Sequence, residues 1–576
     1  MNKTAFSLSL LLATSLLAIS PLSAQTVDPT ADQTAEKPSE AQRPHFSPVM
    51  PVKIKPRQGG ADSISKAAAD IEQENALNPD TLGLYSSPAT GSLGGTLWQN
   101  FSAPDVAKAI SDLPVTINSE TMRNLLLRAL LTTPDASPEN SSGEAFSARL
   151  EKIAELGRYD QAFQLYKKLE GNIPTAKAAL AGTASAFATN RTGLACLEEK
   201  ALDSKFKQSE ATSFWADLSS FCSLLLKLDQ EDSNTTDSFA TASKNYAIAK
   251  NLKATLKSEE LNGKSVIEIM ALRQAGLLPD TIFTPSSAKS LKPGVLALLI
   301  SNPPSTAEAR LSLFVAAVEK GLKTKEELAN EYQLLAKTPV TGSGYWKSIL
   351  DSYGNLQTST DKAALLRSVI NLTKEPDYTA LQPFAAAFGS LSEVGSFTKE
   401  ESKKVLSFLI RSRTSVSGKW LDKALESPDL ATKDSVTDIE VIQALETELK
   451  KANSDQDDKK EREVIEIAQL HALSLILNEN EAEDKGKDKP YENLLSLTGS
   501  TDYVMPSKEF MNNLAQASAR QDTGKVILYS LQALNGQRVS QLHPAALYRI
   551  TEALKSVGLV EEVRSLVHEA LADMIE

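Results

Sequence analysis

Residues 146–174 read FSARLEKIAELGRYDQAFQLYKKLEGNIP, and their spacing sets the fold class. Leu150, Ile153 and Ala154 recur at the three- and four-residue intervals that share one helical face. Gly157 follows, a residue that accepts the left-handed turn closing a helix. A second apolar face then runs through Ala162, Leu165, Tyr166 and Leu169. Ala162 is small enough to let two helix backbones approach, and Tyr159 and Tyr166 supply bulk to fill the space beside it. Pro174 ends the unit, because proline cannot continue a helix. So short a turn folds the second helix back along the first. A single hairpin cannot cover its own apolar face, so it needs further hairpins against it.

The pattern continues outward from this stretch. Leu311, Phe314, Val315 and Val318 form one stripe, and Val563, Leu566, Val567 and Ala570 form another. Ser305 with Glu308, Thr324 with Glu327 and Thr398 with Glu401 have the spacing at which a hydroxyl and a carboxylate cap a helix start reciprocally. Gly157, Gly321 and Gly558 mark stops. Alternating runs of β-branched residues are nearly missing from Leu97 onward. The expectation is an all-α chain, in a first helical block over 96–230 and a second over 240–576, with a polar break near QEDSNTTDSF between them.

The order Gly157, Tyr159, Ala162, Tyr166, closing with Pro174, resembles the second half of a tetratricopeptide repeat. The C-terminal stretch SVGLVEEVRSLVHEAL is similar, with Gly558 at the turn and Val563 where alanine would stand. The resemblance covers residues 146–174 best, and the first helix there departs from the usual Trp and Leu-Gly pattern. It implies an α-solenoid of antiparallel helix pairs, in which Gly157, Tyr159, Ala162, Tyr166 and Pro174 are packing residues. Such arrays present long concave surfaces suited to protein or peptide ligands.

The N-terminus predicts the compartment. Lys3 precedes an apolar run from Ala5 to Ile19, and Leu22-Ser23-Ala24 offers small residues for signal peptidase. The run is too short for the ~20 residues of a membrane span. Residues 1–24 are therefore expected to be a cleavable export signal, and the mature chain to lack a membrane span. Residues 25–95 follow as a disordered linker whose first part carries Pro29, Pro38, Pro44, Pro48, Pro51 and Pro56. A net charge of −12 repels phosphate backbones and argues against nucleic acid. The two cysteines, Cys196 and Cys222, fall in consecutive predicted helices. In an oxidising periplasm or extracellular space they are expected to form one structural disulfide.

No chemistry-bearing constellation stands out. His45 lies in the linker, His543 precedes Pro544 at a helix start, and His471 shares a face with Val464, Ile467, Ala468 and Leu475. His568 begins a His-Glu pair, but position 572 is Ala, so the zinc-protease helix motif is not completed. Gly342-Ser343-Gly344 lacks the spacing of a nucleophile elbow. Asp455, Asp457 and Asp458 lack the glycine and the ligand at later positions that a calcium loop needs. Ala178–Thr189 has no periodic Thr array of the kind a flat ice-binding face requires. Trp346, Tyr332 and Tyr353 are groove or core aromatics. The expected function is a non-enzymatic periplasmic scaffold binding an envelope protein or peptide, without cofactor or metal. The alternative is a cell-wall-acting hydrolase with a helical superstructure, for which the chain shows no added catalytic domain before Glu576.

Overall fold

The computed structural model describes residues 78–575 except 136–137, 203–211, 232–237, 255–256, 325–326, 329–330, 332–352, 355, 373–383, 453–458, 479–493 and 496–502. The expected signal at 1–24, residues 25–77 of the expected linker, Tyr332, Trp346, Gly342-Ser343-Gly344, the 455–458 aspartates and most of the polar break lie outside the described residues. Among the described residues every regular element is a helix, and extended pairing is confined to isolated bridges such as Tyr85 with Thr132.

The chain from 78 to 95, expected as the end of the linker, is folded onto the helices. A 3-10 turn at Pro79–Thr81 buries Asp80. Its carboxylate accepts hydrogen bonds from the Gly143 and Phe146 amides at 2.9 and 2.7 Å and from the Ser141 hydroxyl at 2.6 Å. These are free donors at a helix start, which a carboxylate satisfies well. A distant helix thus anchors a stretch whose own composition predicts no order.

Helices α1 (Ala103–Ser111), α2 (Glu120–Leu131), α3 (Glu144–Glu155), α4 (Tyr159–Lys167), α5 (Ala176–Ala188), α6 (Thr192–Ala201), α7 (Thr212–Glu231) and α8 (Ser238–Ala249) follow, then α9 (Val266–Gln274), α10 (Pro285–Ser290), α11 (Pro293–Ser301) and α12 (Ala307–Glu319). Helix α3 packs on α4, and both pack on α5. Helix α6 packs on α5 and α7, α7 on α8 and α8 on α9. Helix α3 also meets α1 and α11. The buried Arg149 of α3 donates to the carbonyls of Leu130 and Thr132 at 2.8 and 2.9 Å, which satisfies the end of α2. Burial of that guanidinium, partly offset by Asp80, lowers its pKa to about 10.

The rest comprises α13 (Ser359–Leu372), α14 (Ala385–Gly389), α15 (Lys399–Arg411), α16 (Gly418–Leu425), α17 (Asp438–Ala452), α18 (Lys459–Leu477), α19 (Lys508–Ala519), α20 (Thr523–Leu534), α21 (Pro544–Ser556) and α22 (Val560–Ile575). Helices α20 and α22 pack on α2, and α15 packs on α22. The Thr121 amide and hydroxyl both donate to one carboxylate oxygen of Glu569, at 2.8 and 2.7 Å. The Asn118 side chain donates to the Gly536 carbonyl at 2.7 Å, and Arg128 pairs with Glu562. A Cβ on Gly524 would lie 2.1 Å from the Leu97 carbonyl oxygen, so only glycine permits that approach. Contacts that span over 400 positions accompany the neighbour-to-neighbour ones. One apolar cluster draws on residues 82–181 and 363–575 together, and a second on residues 163–328.

Local signals fare unevenly. Thr324 with Glu327 and Thr398 with Glu401 form their reciprocal caps. Gly157, Gly321 and Gly558 are left-handed, with φ of 76°, 67° and 83°. The Ser305 cap does not form. Asp280 reaches across to take the Ser305 hydroxyl and the Thr306 amide, both at 2.8 Å. Burial raises the Asp280 pKa, but those hydrogen bonds and Arg273 outweigh it and hold the carboxyl below its usual value. In α12 the deepest positions are Ala309, Leu313, Ala316 and Ala317, while Leu311 and Val318 of the expected stripe are half-buried. In α18 the buried face runs through Ile465, Ala468 and Gln469; His471 and Val464 face solvent.

Candidate functional site

Helices α6 and α7 carry the two cysteines, and the disulfide is formed. The Cys196 and Cys222 Cα atoms lie 5.6 Å apart, within the range a disulfide prefers. Both cysteines are buried, as are Trp215 and Leu218 on the same face of α7. Aromatic rings build the core around them. Phe221 meets Phe187 of α5 edge-on, with centroids 5.1 Å apart, and Tyr246 of α8 at 6.0 Å. The bridge therefore pins two helices that packing already places side by side.

The residues that carry the repeat resemblance all sit at helix contacts. Ala162 and Tyr166 are buried. The Tyr166 ring lies on Gly182 of α5, where a Cβ would stand 2.1 Å from Cδ2. Its hydroxyl donates to Glu198 of α6 at 3.1 Å. Burial, with the Glu198 charge beside it, pushes the phenol well above its ordinary pKa. Gly157 and Tyr159 face α11: an added Cβ at Gly157 would lie 2.6 Å from the Pro293 oxygen, and one at Gly294 would lie 2.9 Å from the Tyr159 hydroxyl. Pro174 packs over Gly143 at the start of α3. Gly182 and its small neighbours were legible only as an Ala/Thr-rich stretch. Their role is to give Tyr166 room, and Ala178, Ala179, Thr183, Ser185 and Ala186 around it are buried.

The outer surface of these helices is unusual. Leu194 and Leu197 of α6 are 38% and 65% exposed, Leu226 of α7 is 39% exposed, and Ile248 of α8 is 78% exposed. Three consecutive helices around the disulfide thus present most of the large aliphatic side chains that face solvent among the described residues. Single exposed apolar residues are common, whereas a concentration of them marks contact surfaces. No described helix is long and apolar enough to cross a membrane.

No family description, curated protein or solved structure matches this chain.

Among the described residues no group of three or more His, Cys, Asp and Glu is placed to hold a metal ion. His543 does what its position predicts: it is the N-cap of α21, and its Nδ1 accepts from the Ala545 amide at 3.2 Å. His568 is different. Its Nε2 lies 2.9 Å from Asp438 Oδ2, a partner 130 positions away that helical spacing within α22 could not reveal. Tyr353 packs on the first apolar cluster, and the Lys362 ammonium stands 5.4 Å from its ring centre.

Proposed function

We propose that this chain is an exported, tetratricopeptide-like helical scaffold that binds a protein or peptide partner in the cell envelope without catalysing a reaction. The observation that carries this reading is the set of exposed aliphatic side chains on three successive helices, Leu194, Leu197 and Leu226 on the two disulfide-linked ones and Ile248 on the next. Each such side chain would lose ~25 cal/mol per Å² of apolar area exposed to water if a partner covered it. The bridge restrains α6 against α7, and helices held in place beforehand lose little conformational freedom on binding, which favours affinity. The disulfide and the signal-like N-terminus both support an oxidising compartment.

The test places a photo-crosslinking residue at position 197 or 248 in cells, with position 177 as a control on an exposed part of α5. A partner captured from 197 and 248 and missed from 177 is the expected result. Leu197→Asp and Ile248→Asp should abolish capture while the far-ultraviolet circular dichroism stays unchanged. Equal capture from all three positions, or capture that survives both aspartates, refutes the reading. Export is checked separately: the mature chain should begin at Gln25 and fractionate with the periplasm or medium.

A further inference from the structure

The chain holds two asparagine–glycine steps, Asn262-Gly263 and Asn535-Gly536. Such a step carries a reaction of its own. Glycine has no side chain to shield its amide nitrogen, so that nitrogen can attack the side-chain carbonyl carbon of the asparagine before it. The structure treats the two steps differently. Asn262 is clamped at both ends of its amide: Nδ2 donates to the Ser290 carbonyl at 3.1 Å, and Oδ1 accepts from the Lys292 amide at 2.7 Å. Asn535 closes α20, is exposed, and has no side-chain hydrogen bond among the described residues. The Gly536 N–H donates to no backbone carbonyl among them.

What holds Asn535 back is its turn. Asn535 is left-handed, with φ 43° and ψ 43°, and Gly536 follows at φ 75°. Ring closure requires the Gly536 nitrogen to eclipse Cβ about the Cα–C bond. In an L-residue at this ψ the nitrogen stands nearly opposite Cβ, so the side chain is out of its reach until ψ turns. Three contacts oppose that rotation. The Gln537 N–H donates to the Leu534 carbonyl at 2.8 Å, and Asn118 Nδ2 donates to the Gly536 carbonyl at 2.7 Å. The Thr116 carbonyl oxygen lies so close that a Cβ on Gly536 would stand 2.9 Å from it. The last two come from the chain just before α2, and Asn118 is 418 positions from Gly536.

We propose that Asn535-Gly536 is a site of spontaneous isoaspartate formation, guarded by the docking of residues 116–118 against the end of α20. When that contact opens, ψ turns, and the Gly536 nitrogen gives up its proton and bonds to Asn535 Cγ. The Cγ–Nδ2 bond breaks, and ammonia leaves with the proton. Water then opens the cyclic imide. Attack at the α-carbonyl leaves the main chain running through the side-chain carbons as isoaspartate, and attack at Cγ leaves ordinary aspartate. Either way one ammonia is lost and one water gained, and no oxidant or cofactor takes part. Isoaspartate lengthens the main chain by one methylene, which carries Gly536 off its seat on Asn118 and Thr116. Both products also place a negative charge at the C-terminal end of α20, where the helix dipole disfavours it. An opening of the joint between α2 and α20 is thereby recorded permanently. The site is separate from the exposed aliphatic side chains of α6 to α8, and neither reading depends on the other.

Peptide mass spectrometry with isoaspartyl methyltransferase labelling tests it on the full chain, incubated in mildly alkaline buffer. In concentrated guanidinium chloride both steps should convert at similar rates. In the folded parent Asn535 should convert more slowly than in denaturant, yet ahead of Asn262. Asn118→Ala removes one exposed donor and leaves the rest of the turn. It should speed conversion at Asn535 roughly two- to tenfold, the effect of one exposed hydrogen bond, and leave Asn262 unchanged. Circular dichroism will show that N118A keeps its helices. The proposal is overturned if Asn262 converts as fast as Asn535 in the folded parent, if Asn535 converts as fast folded as in denaturant, or if N118A leaves its rate unchanged.

Discussion

Glu569 joins α22 to the start of α2, and removing its carboxylate should loosen that start specifically. Its oxygen accepts from the Thr121 amide at 2.8 Å and from the Thr121 hydroxyl at 2.7 Å. Hydrogen bonds to a charged acceptor contribute about 1.5–3 kcal/mol each, and the loss is offset in part because burying the charge is itself unfavourable. Glu569→Ala should therefore cost about 2–4 kcal/mol locally. Glu569→Gln keeps an acceptor oxygen in place and removes the buried charge, so it should cost under about 1 kcal/mol. Hydrogen exchange with mass spectrometry on peptides covering residues 118–131 reads this directly. E569A should speed exchange there roughly thirty- to several-hundredfold, since 1.4 kcal/mol is a factor of ten. The pH dependence has a defined sign. Desolvation raises the Glu569 pKa above 4.5, against the hydrogen bonds from Ser119 and Thr121. The folded state thus binds the proton more tightly than the unfolded one. Its stabilising effect is present below pH 4.5 and is lost as pH rises through the folded pKa. The stability of the parent relative to E569Q should fall over that window and then level off. Unchanged exchange in E569A, or E569Q as fast as E569A, would refute the reasoning.

Other consequences can be checked alongside. The loop closed by Cys196 and Cys222 spans 26 positions, so replacing both with alanine should destabilise the chain by about 3.5 kcal/mol from loop entropy. Denaturant unfolding measures that, and peptide mapping without reductant should show no free thiol in the parent. Gly157→Ala places a Cβ 2.6 Å from the Pro293 oxygen at φ 76°, whereas Gly558→Ala meets nothing within 4 Å at φ 83°. Both incur about 1–2 kcal/mol of left-handed strain, and only the first should lose clearly more, which thermal unfolding will separate. Gly182→Ala drives a methyl into the Tyr166 ring and should cost about 1–3 kcal/mol. Tyr166→Leu in the same chain should relieve part of it in a double-mutant cycle.

Legibility in the sequence followed the range of the interaction. The cysteine pairing could be read because two predicted helices in succession bring their faces together. The left-handed glycines and the Thr324 and Thr398 caps could be read because each is complete within four residues. Ser305 misled because the motif is local while the competitor is not: Asp280, supported by Arg273, takes the Ser305 hydroxyl, which the box would have used as its acceptor, and the neighbouring Thr306 amide. Asp80 and Glu569 follow the same rule. Nothing near Asp80 predicts that it holds the start of α3, and nothing near Glu569 points to Thr121. Depth within a helix was legible only to half a face, because α12 is covered on several sides and α18 is turned by Gln469, whose amide donates to the Ser540 and Leu542 carbonyls. The Asp438–His568 contact left no local mark, since its partners lie 130 positions apart.

The Thr121–Glu569 clasp has a consequence for biogenesis. Ribosomes and export channels deliver polypeptide from its N-terminal end, and the two partners are 448 positions apart. At a synthesis rate of ~5–20 residues per second, the first partner waits roughly 20–90 s for the second. During that interval the start of α2 has only its local Ser119 cap, the Thr121 donors lack their carboxylate, and the helix has no cover from α20 or α22, which exposes it to chaperones and quality-control proteases. A prematurely terminated chain would keep that vulnerability permanently, so the clasp marks the difference between a finished molecule and an aborted one.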